Sequence, residues 1–148
     1  MFAPLLETLR RLISPNPRAT TARRELGDRG EDAAAGFLES HGYQILARNW
    51  RSGRDELDLV ALAPGTQTLV FIEVKTRDER DPKGGYFAVD ARKRRALRRA
   101  IAAYMRDIGR PAAHLRFDII EVRAEGAKSD GKVAMRVIHH CAVSLFHK

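Results

Sequence analysis

The fold of this chain is decided by residues 56–76, which read ELDLVALAPGTQTLVFIEVKT. Two runs rich in Leu, Val, Ile and Phe flank the segment Pro64–Gln67, and this pattern is typical of a β-hairpin. It predicts antiparallel strands over residues 56–63 and 68–76. Both runs also carry charged residues at positions where a buried strand normally has apolar side chains.

The predicted hairpin register brings these charges together. If the hairpin closes symmetrically about Gly65–Thr66, Asp58 faces Glu73 and Glu56 faces Lys75. The same closure pairs Leu62 with Leu69 and Val60 with Phe71. Because side chains alternate along a strand, Glu56 and Asp58 share one face of the first strand, and Glu73 and Lys75 share one face of the second. The opposite face of the first strand carries Leu57, Leu59 and Ala61.

Two facing carboxylates favour a divalent metal ion. At ~4 Å they repel each other by roughly 4 kcal/mol at an effective dielectric of 20, and a bound cation removes this penalty. Mg²⁺ suits Asp58 and Glu73 because it takes one or two carboxylates and engages phosphate oxygens, and the main-chain carbonyl of Val74 adds a further ligand. The alternative is that Glu56 pairs with Lys75 at a strand end and the other charges lie on a solvated edge.

An acidic residue two positions before a lysine can place a metal ligand beside a cation that steadies a phosphate. The pattern occurs three times, as Glu73-Val74-Lys75, Asp81-Pro82-Lys83 and Asp130-Gly131-Lys132. The second lies in a loop with Gly and Pro, and the third lies in a turn. Only the first lies on a predicted strand, where neighbouring elements position it.

Apolar periodicity predicts an α/β fold with a central mixed sheet flanked by helices. The predicted helices cover residues 23–41 and 89–108, and the further strands cover 43–50, 115–123 and 133–139. The order is α-β-β-β-α-β-β. Strand 115–123 should run parallel to strand 68–76, because a long helical connection is what parallel neighbours need. Residues 1–22 form an N-terminal appendage, and residues 23–148 form one domain.

Each predicted helix aims a charged residue inward. Glu31 lies on the apolar stripe of the first helix, and Lys93 lies four residues before Leu97 on the stripe of the second. The alternatives are a carboxylate favoured by the helix dipole and a lysine whose ammonium group reaches solvent.

The second helix also begins with a dense basic run after Asp90, a candidate N-cap. Its cations are Arg92, Lys93, Arg94, Arg95, Arg98 and Arg99. Neutralising several phosphates in this way predicts sequence-independent nucleic-acid binding by Arg92, Arg95, Arg98 and Arg99. A solvated helix face is the alternative.

Composition sets the class of protein. The 148 residues carry a formal net charge of +8, and 21 of the 27 basic residues are arginine, whose planar fork suits phosphate. A lone Cys141 excludes a disulfide framework and indicates a reducing, cytoplasmic compartment. No apolar stretch approaches the ~20 residues that span a bilayer, so no membrane partner is expected. The oligomeric state is open, with a homodimer as one option.

His139-His140-Cys141 is a poor zinc motif. Adjacent strand residues point to opposite faces, and no second ligand pair has suitable spacing. Cys141 also lacks an adjacent general base in the sequence, so it receives no catalytic role.

Five segments stand out when they are taken together: Arg29-Gly30-Glu31, Gly42–Arg51, Glu56–Ala61, Phe71–Arg77 and Arg116-Phe117-Asp118. In combination they resemble the bacterial YraN-like family of uncharacterised proteins, over about residues 24–146. That family is similar to the PD-(D/E)XK nucleases, with the restriction-endonuclease-like fold and kinship to archaeal Holliday-junction resolvases.

The resemblance implies a set of site residues. Asp58 matches the motif aspartate, and Glu73 and Lys75 match the (D/E)XK pair. Glu31 matches the helix glutamate of the resolvases, and Lys93 matches a helix lysine of family members. In this reading Glu56 and Lys93 support the site.

One position departs from the family pattern. Relatives usually have Gly before Glu56, and this chain has Asp55. The extra carboxylate either disturbs the metal geometry or faces solvent.

Three functions follow as hypotheses. The first is a Mg²⁺- or Mn²⁺-dependent endonuclease that hydrolyses DNA phosphodiesters, including branched or recombination structures. Asp58 and Glu73 would hold the metal, Lys75 would steady the attacking water or the phosphate charge, and Glu31 would bind metal or orient water. The second is a non-catalytic nucleic-acid-binding module that retains the nuclease fold. The third is a structural protein whose basic helix meets an acidic protein surface.

Overall fold

A computed structural model describes residues 17–78, 89–109, 114–127 and 133–145. Within these ranges two helices and five strands follow one another in the predicted order α-β-β-β-α-β-β. They are α1 (Pro17–Ser40), β1 (Gln44–Ser52), β2 (Asp55–Leu62), β3 (Thr68–Asp78), α2 (Ala91–Ile108), β4 (His114–Ala127) and β5 (Val133–His140).

Most predicted boundaries shift by one or two residues, whereas the start of α1 and the end of β4 shift further. Strand β4 ends at Ala127 rather than at Arg123, so it includes Gly126, which was predicted to lie in a turn. Helix α1 begins at Pro17 rather than at Arg23, so residues 17–22 belong to this helix. Strand β3 continues to Asp78, into the segment predicted to be a loop. The rest of the predicted appendage, the remainder of that loop and the acid–lysine pairs at 81–83 and 130–132 lie outside the described residues.

The five strands form one mixed sheet in the order β1-β2-β3-β4-β5. Strands β3 and β4 pair in parallel, and the other neighbours pair antiparallel. Helix α2 makes the crossover that the parallel pair requires. The predicted antiparallel hairpin of β2 and β3 and the predicted parallel return strand are both confirmed, and the architecture agrees with the restriction-endonuclease-like fold expected from the sequence.

The predicted hairpin register is confirmed over its apolar part. Leu62 pairs with Leu69, and Val60 pairs with Phe71. The pairing of β2 with β3 ends at Leu59 and Ile72, immediately before Asp58 and Glu73. The two carboxylates therefore lie just beyond the last paired residues, where the strands separate.

The side-chain alternation of β2 breaks at Asp58. Leu57 packs with Val60 on the α2 side of the sheet, whereas Leu59 packs on the α1 side. The prediction that Leu57 and Leu59 share a face is therefore wrong. In β1 the residue between the partners of Leu57 and Leu59 is Asn49, which has a left-handed φ of 49°. A backbone irregularity of this kind re-aims the neighbouring side chains, and the sequence pattern does not show it.

The core has two layers, one on each side of the sheet. The α2-side layer contains Leu57, Val60, Phe71, Leu97, Ile101, Tyr104 and Phe117, and the α1-side layer contains Ala34, Leu38, Leu59, Ile72, Ile120 and Val122. Helix α1 contacts all five strands, whereas α2 lies mainly over β1 and β2. Within the described part of the chain, the α2-side face of β5 therefore has no helix over it.

Helix α2 has defined ends. The Asp90 carboxylate accepts a hydrogen bond of 2.7 Å from the backbone N–H of Lys93, which confirms the predicted cap. Gly109 ends the helix with a φ of 60°. Neither helix in the described ranges is long and apolar enough to cross a membrane.

Candidate functional site

Glu73 is the most deeply buried of the predicted site residues, with only 3% of its surface exposed. Its Oε1 accepts a hydrogen bond of 2.7 Å from Lys75 Nζ and lies 3.0 Å from Lys93 Nζ. Its Oε2 is also buried, and it accepts no hydrogen bond from the residues that the structure describes. One oxygen of this carboxylate is therefore paired with two cations, and the other has no donor. A buried polar atom without a hydrogen-bond partner lowers the free energy of unfolding by about 1–3 kcal/mol, and by more when the atom is charged.

Asp58 lies beside Glu73 on the neighbouring strand and is partly buried. Its Oδ2 accepts a hydrogen bond of 2.8 Å from the backbone N–H of Val74. Burial and the nearby Glu73 carboxylate raise the pKa of Asp58 to about 7, against the opposing effects of the Val74 N–H and Lys93. The structure thus brings together the two carboxylates predicted to share one site.

Lys93 reaches this pair from the first turn of α2. Burial lowers the pKa of its ammonium group, but the attraction of Glu73, together with Asp58 and Glu56, outweighs that effect and raises the pKa. Its side chain is 39% exposed and ends at Glu73. The inward orientation predicted from the helix period is confirmed.

Glu31 approaches from α1 because Gly30 lets that helix lie against β3. A Cβ added at Gly30 would lie 1.8 Å from Thr76 Oγ1, so no larger residue fits without movement. Glu31 is partly buried, and the Asn49 side chain lies near its carboxylate. Burial raises the pKa of Glu31, helped by Asp28 and opposed by the polar side chain of Asn49.

Asn49 is a site residue that sequence reasoning missed. Asn49 belongs to β1 and lies opposite Asp58 of β2. Its backbone has a left-handed conformation, and its side chain lies near Glu31. Asn adopts this region more readily than most residues with a Cβ. The only available signal was an Asn within a predicted strand, where this residue type is depleted.

A cleft of about 750 Å³ opens beside Glu31, between α1 and the end of β3. Its lining from α1 includes Arg23, Leu26 and Glu31, and its lining from β3 includes Lys75, Thr76 and Arg77. Two of the predicted site residues, Glu31 and Lys75, therefore face a space that is large enough for a ligand.

Glu56 does not take its predicted partner. The register prediction placed it opposite Lys75, but its Oε1 lies 3.1 Å from NH2 of Arg51 on β1. Lys75 instead contacts Glu73 on its own strand. The reason is that β2 and β3 separate beyond Leu59, so Glu56 keeps only its β1 neighbour.

The basic helix divides into two pairs. Arg92 and Arg95 are exposed, as expected for residues that would bind phosphate. Arg98 instead donates to the backbone carbonyl of Leu145 at 2.8 Å, and Arg99 forms two hydrogen bonds with Asp55, at 2.9 and 2.8 Å. Arg98 and Arg99 therefore have partners within the protein, and phosphate binding by the four arginines stays a prediction.

Asp55, the departure from the family pattern, is paired with the second helix. Its hydrogen bonds with Arg99 lower its pKa, and only 13% of its side chain is exposed. The extra carboxylate therefore faces Arg99 of α2 rather than open solvent.

A second polar cluster surrounds Asp118, which is fully buried. Atoms of Asp118, His139 and Cys141 lie within 4.8 Å of one another, a spacing that permits metal binding. However, the Asp118 carboxylate already accepts hydrogen bonds from Nε and Nη2 of Arg116, from His139 and from the backbone N–H of Ala142. The adjacent guanidinium and the occupied lone pairs of Asp118 disfavour a metal ion. The hydrogen bond to Ala142 instead ties β4 to the segment after β5.

A profile of the uncharacterised protein family UPF0102 matches residues 30–122. The chain belongs to this family. The YraN-like resemblance seen in the sequence is thereby confirmed. The UPF0102 match contains Glu31, Asp58, Glu73, Lys75 and Lys93, and it ends before the His139–Cys141 segment.

Several UPF0102 proteins are similar to this chain over most of their length. A UPF0102 protein of Pelobacter propionicus is 40% identical over 112 residues, covering 76% of this chain and 80% of the relative. One of Symbiobacterium thermophilum is 41% identical over 117 residues, covering 79% and 95%. One of Mycobacterium bovis is 42% identical over 113 residues, covering 76% and 88%.

The residues of this UPF0102 site fit the metal that the nuclease resemblance implies. Mg²⁺ and Mn²⁺ favour carboxylate oxygens, and the site offers Asp58, Glu73 and Glu31. The buried Glu73 Oε2 is an oxygen donor without a partner in the described residues. Among the described residues, both oxygens of the Asp118 carboxylate already accept hydrogen bonds. The Val74 carbonyl stays a prediction as a further ligand.

Proposed function

We propose that this protein is a Mg²⁺- or Mn²⁺-dependent nuclease that hydrolyses phosphodiester bonds in DNA. The buried and unpaired Glu73 Oε2, next to the second carboxylate of Asp58, is the observation that carries the proposal. Lys75 and Lys93 neutralise only Oε1 of Glu73, so a divalent ion held by Glu73 Oε2 and Asp58 would relieve the remaining cost of burying this pair.

Each residue has a distinct task in this proposal. Asp58 and Glu73 would hold the ion, which when bound would supply Lewis-acid stabilisation of the phosphate oxygens. The Val74 N–H orients Asp58, and Lys93 orients Glu73 through the 3.0 Å contact. Lys75 carries the positive charge that would balance the charge developing on the phosphate.

Glu31 would position the attacking water and accept its proton. Its raised pKa makes it a better proton acceptor than an ordinary glutamate, and the nearby Asn49 side chain offers it a hydrogen-bond donor. In the reaction the water oxygen forms a bond to phosphorus and the ester P–O bond breaks. The leaving oxygen takes a proton from solvent water, and Glu31 releases its proton to solvent. The products are a phosphomonoester and a free hydroxyl group.

The test is a cleavage assay on linear, single-stranded and four-way-junction DNA with Mg²⁺ or Mn²⁺. Cleavage by the natural protein, lost in Asp58→Asn and in Glu73→Gln, would support the proposal. The Glu121→Gln variant is a matched control, because Glu121 is a buried strand carboxylate outside the metal pair. Absence of cleavage with both metals, for a protein that binds the same DNA, would contradict it.

A second candidate is a nucleic-acid-binding module without catalysis. The specific observation in its favour is that Lys75 and Lys93 already neutralise Glu73 Oε1. In a binding module these ion pairs would stabilise the fold, and Mn²⁺ would have no effect on stability. The metal titration described in the Discussion separates the two candidates.

A further inference from the structure

The cleft between α1 and the end of β3 has no task in the hydrolysis proposed above. Its volume of about 750 Å³ lies within the ~300–1,000 Å³ that is typical of pockets for small ligands. One nucleotide is a ligand of this size, whereas an intact DNA duplex is too wide to enter a pocket of such volume. The cleft therefore suits one small part of a nucleic acid.

The cleft adjoins the carboxylate pair. Glu31 and Lys75 line it, and both belong to the proposed catalytic site. Lys75 Nζ lies 2.7 Å from Oε1 of Glu73, the carboxylate that would share a metal ion with Asp58. A nucleic acid whose phosphate is held at this pair would therefore have a neighbouring nucleotide within reach of the cleft.

Three cleft residues of α1 follow one another at four-residue intervals, namely Arg23, Gly27 and Glu31. Residues four apart lie on the same face of a helix, so all three face the cleft. A Cβ at Gly27 would meet no atom of another element within 4 Å, so the described residues leave the space beside this glycine open. Glycine is disfavoured in a helix interior, and no packing contact requires it here. Its effect is to leave room between Arg23 and Glu31.

The lining also suits the parts of a nucleotide. Leu26 of α1 and Val74 of β3 supply apolar surface, against which a base can pack. Arg23 is exposed, and a guanidinium plane is one of the surfaces on which unpaired bases stack. Both contacts are available to any of the four bases, so the lining predicts binding without sequence preference.

The depth of such a contact distinguishes unpaired bases from paired ones. A base inside a duplex is stacked and paired, so it can enter the cleft only by leaving the duplex. This step costs free energy, and it costs least for a base that is already unpaired. Single strands and single-stranded flaps carry such bases, so the cleft favours them over a fully paired duplex.

We propose that this cleft, lined by Arg23, Leu26, Gly27, Glu31 and Val74, binds one unpaired nucleotide next to the scissile phosphate. The inference rests on the proposed function for the choice of nucleic acid as the ligand. It narrows the substrate class to DNA with unpaired nucleotides, such as single strands and flaps. The bound nucleotide holds the adjoining phosphate beside Glu31, the residue that would position the attacking water.

The experiment measures the binding of fluorescein-labelled oligothymidylate, which stays single-stranded, and of a short duplex by anisotropy in EDTA. Gly27→Leu places an apolar side chain in the cleft and should weaken binding of the single strand about fivefold or more, the effect of losing one base contact. Duplex binding should stay unchanged. Gly36→Leu is the matched control, because Gly36 lies in the same helix, meets no atom within 4 Å of an added Cβ, and is exposed outside the cleft.

Arg23 provides a second test, which decides the question if Gly27→Leu does not fold. Arg23→Gln should weaken binding of the single strand about threefold by removing the stacking guanidinium. Arg24→Gln removes the same charge from the adjacent exposed residue, which does not line the cleft, and should affect the single strand and the duplex equally. Equal effects of Arg23→Gln and Arg24→Gln would overturn the inference, because total charge would then account for binding.

The outcomes separate this inference from the nuclease proposal. Single-strand binding that is unchanged in Gly27→Leu, or that falls to the same extent as duplex binding, would overturn the role of the cleft. Loss of single-strand binding in Gly27→Leu, for a protein that cleaves no DNA with either metal, would overturn the nuclease and leave the cleft supported. Cleavage of single strands by Gly27→Leu at the rate of the natural protein would support the nuclease and overturn the cleft.

Discussion

Gly30 of α1 and Thr76 of β3 approach so closely that a Cβ on the glycine would lie 1.8 Å from Oγ1 of the threonine. This contact sets the distance between the helix and the strand at the point where Glu31 and Lys75 enter the site. Glu31 follows Gly30 by one position, and Lys75 precedes Thr76 by one position. The distance between Glu31 and Lys75 therefore depends on this contact.

We expect Gly30→Ala to lower the free energy of unfolding by about 1–3 kcal/mol, because the added methyl group overpacks the helix–strand contact. Gly36→Ala in the same helix meets no atom within 4 Å and should raise stability by up to about 1 kcal/mol through helix propensity. Urea denaturation of both variants measures the difference. Equal effects of the two substitutions would contradict the close contact, and Thr76→Ala should partly rescue Gly30→Ala.

Mn²⁺ at millimolar concentration should raise the thermal unfolding temperature, because an ion that binds only the folded state stabilises it by mass action. Asp58→Asn keeps the shape of the side chain and removes a ligand charge, so the metal-dependent rise should disappear. Differential scanning fluorimetry with and without EDTA measures it. A rise of the same size in Asp58→Asn would place the ion elsewhere.

The pH dependence of stability should follow the raised pKa of Asp58. The folded-state value of about 7 exceeds the ordinary value of 3.8, so the folded protein binds more protons between these limits. In EDTA, the contribution of this group to the free energy of unfolding should therefore fall as pH rises from about 4 to about 7, and then stay constant. Denaturation of the natural protein and of Asp58→Asn across this range isolates the contribution, and an identical pH dependence in the two proteins would contradict it.

Arg98 and Arg95 should differ in their effects even though they lie three residues apart on one helix. Arg98→Gln removes the hydrogen bonds to the Leu145 carbonyl and should lower stability by about 1–2 kcal/mol. Arg95→Gln changes an exposed residue and should leave stability unchanged within about 0.5 kcal/mol. Thermal unfolding of the two variants side by side checks this, and a stability loss in Arg95→Gln alone would reverse the assignment.

The Asp118 cluster should behave as a structural network. Asp118→Ala leaves the partly buried Arg116 without its carboxylate and should cost about 3–5 kcal/mol. Zn²⁺ should leave the unfolding temperature of the natural protein unchanged, since the Asp118 lone pairs are occupied. A zinc-dependent rise that is lost in Cys141→Ser would show that the cluster binds metal instead.

Much of this arrangement follows from local sequence patterns. The register of Leu62 with Leu69 and the parallel return of β4 could be predicted because strand periodicity and connection length determine them. The inward direction of Lys93 followed from the helix period.

The features that could not be predicted depend on backbone irregularity and on distant contacts. The left-handed Asn49 changes the faces around Asp58, and alternation assumes a regular strand. The partners of Arg98 and Asp118 come from segments distant in sequence, Leu145 and His139, and no periodic pattern reports such contacts.

The irregular backbone of β1 also affects how the molecule meets other molecules. In the described part of the chain β1 is an outer strand of the sheet, and its pairing shifts between Ile45 and Ala47 before Asn49 adds a second distortion. A bent and twisted outer strand is a poor template for intermolecular β-pairing, because the unpaired N–H and C=O groups no longer form a straight row. Asn49, whose side chain lies near Glu31, thus also protects this edge of the sheet against aggregation.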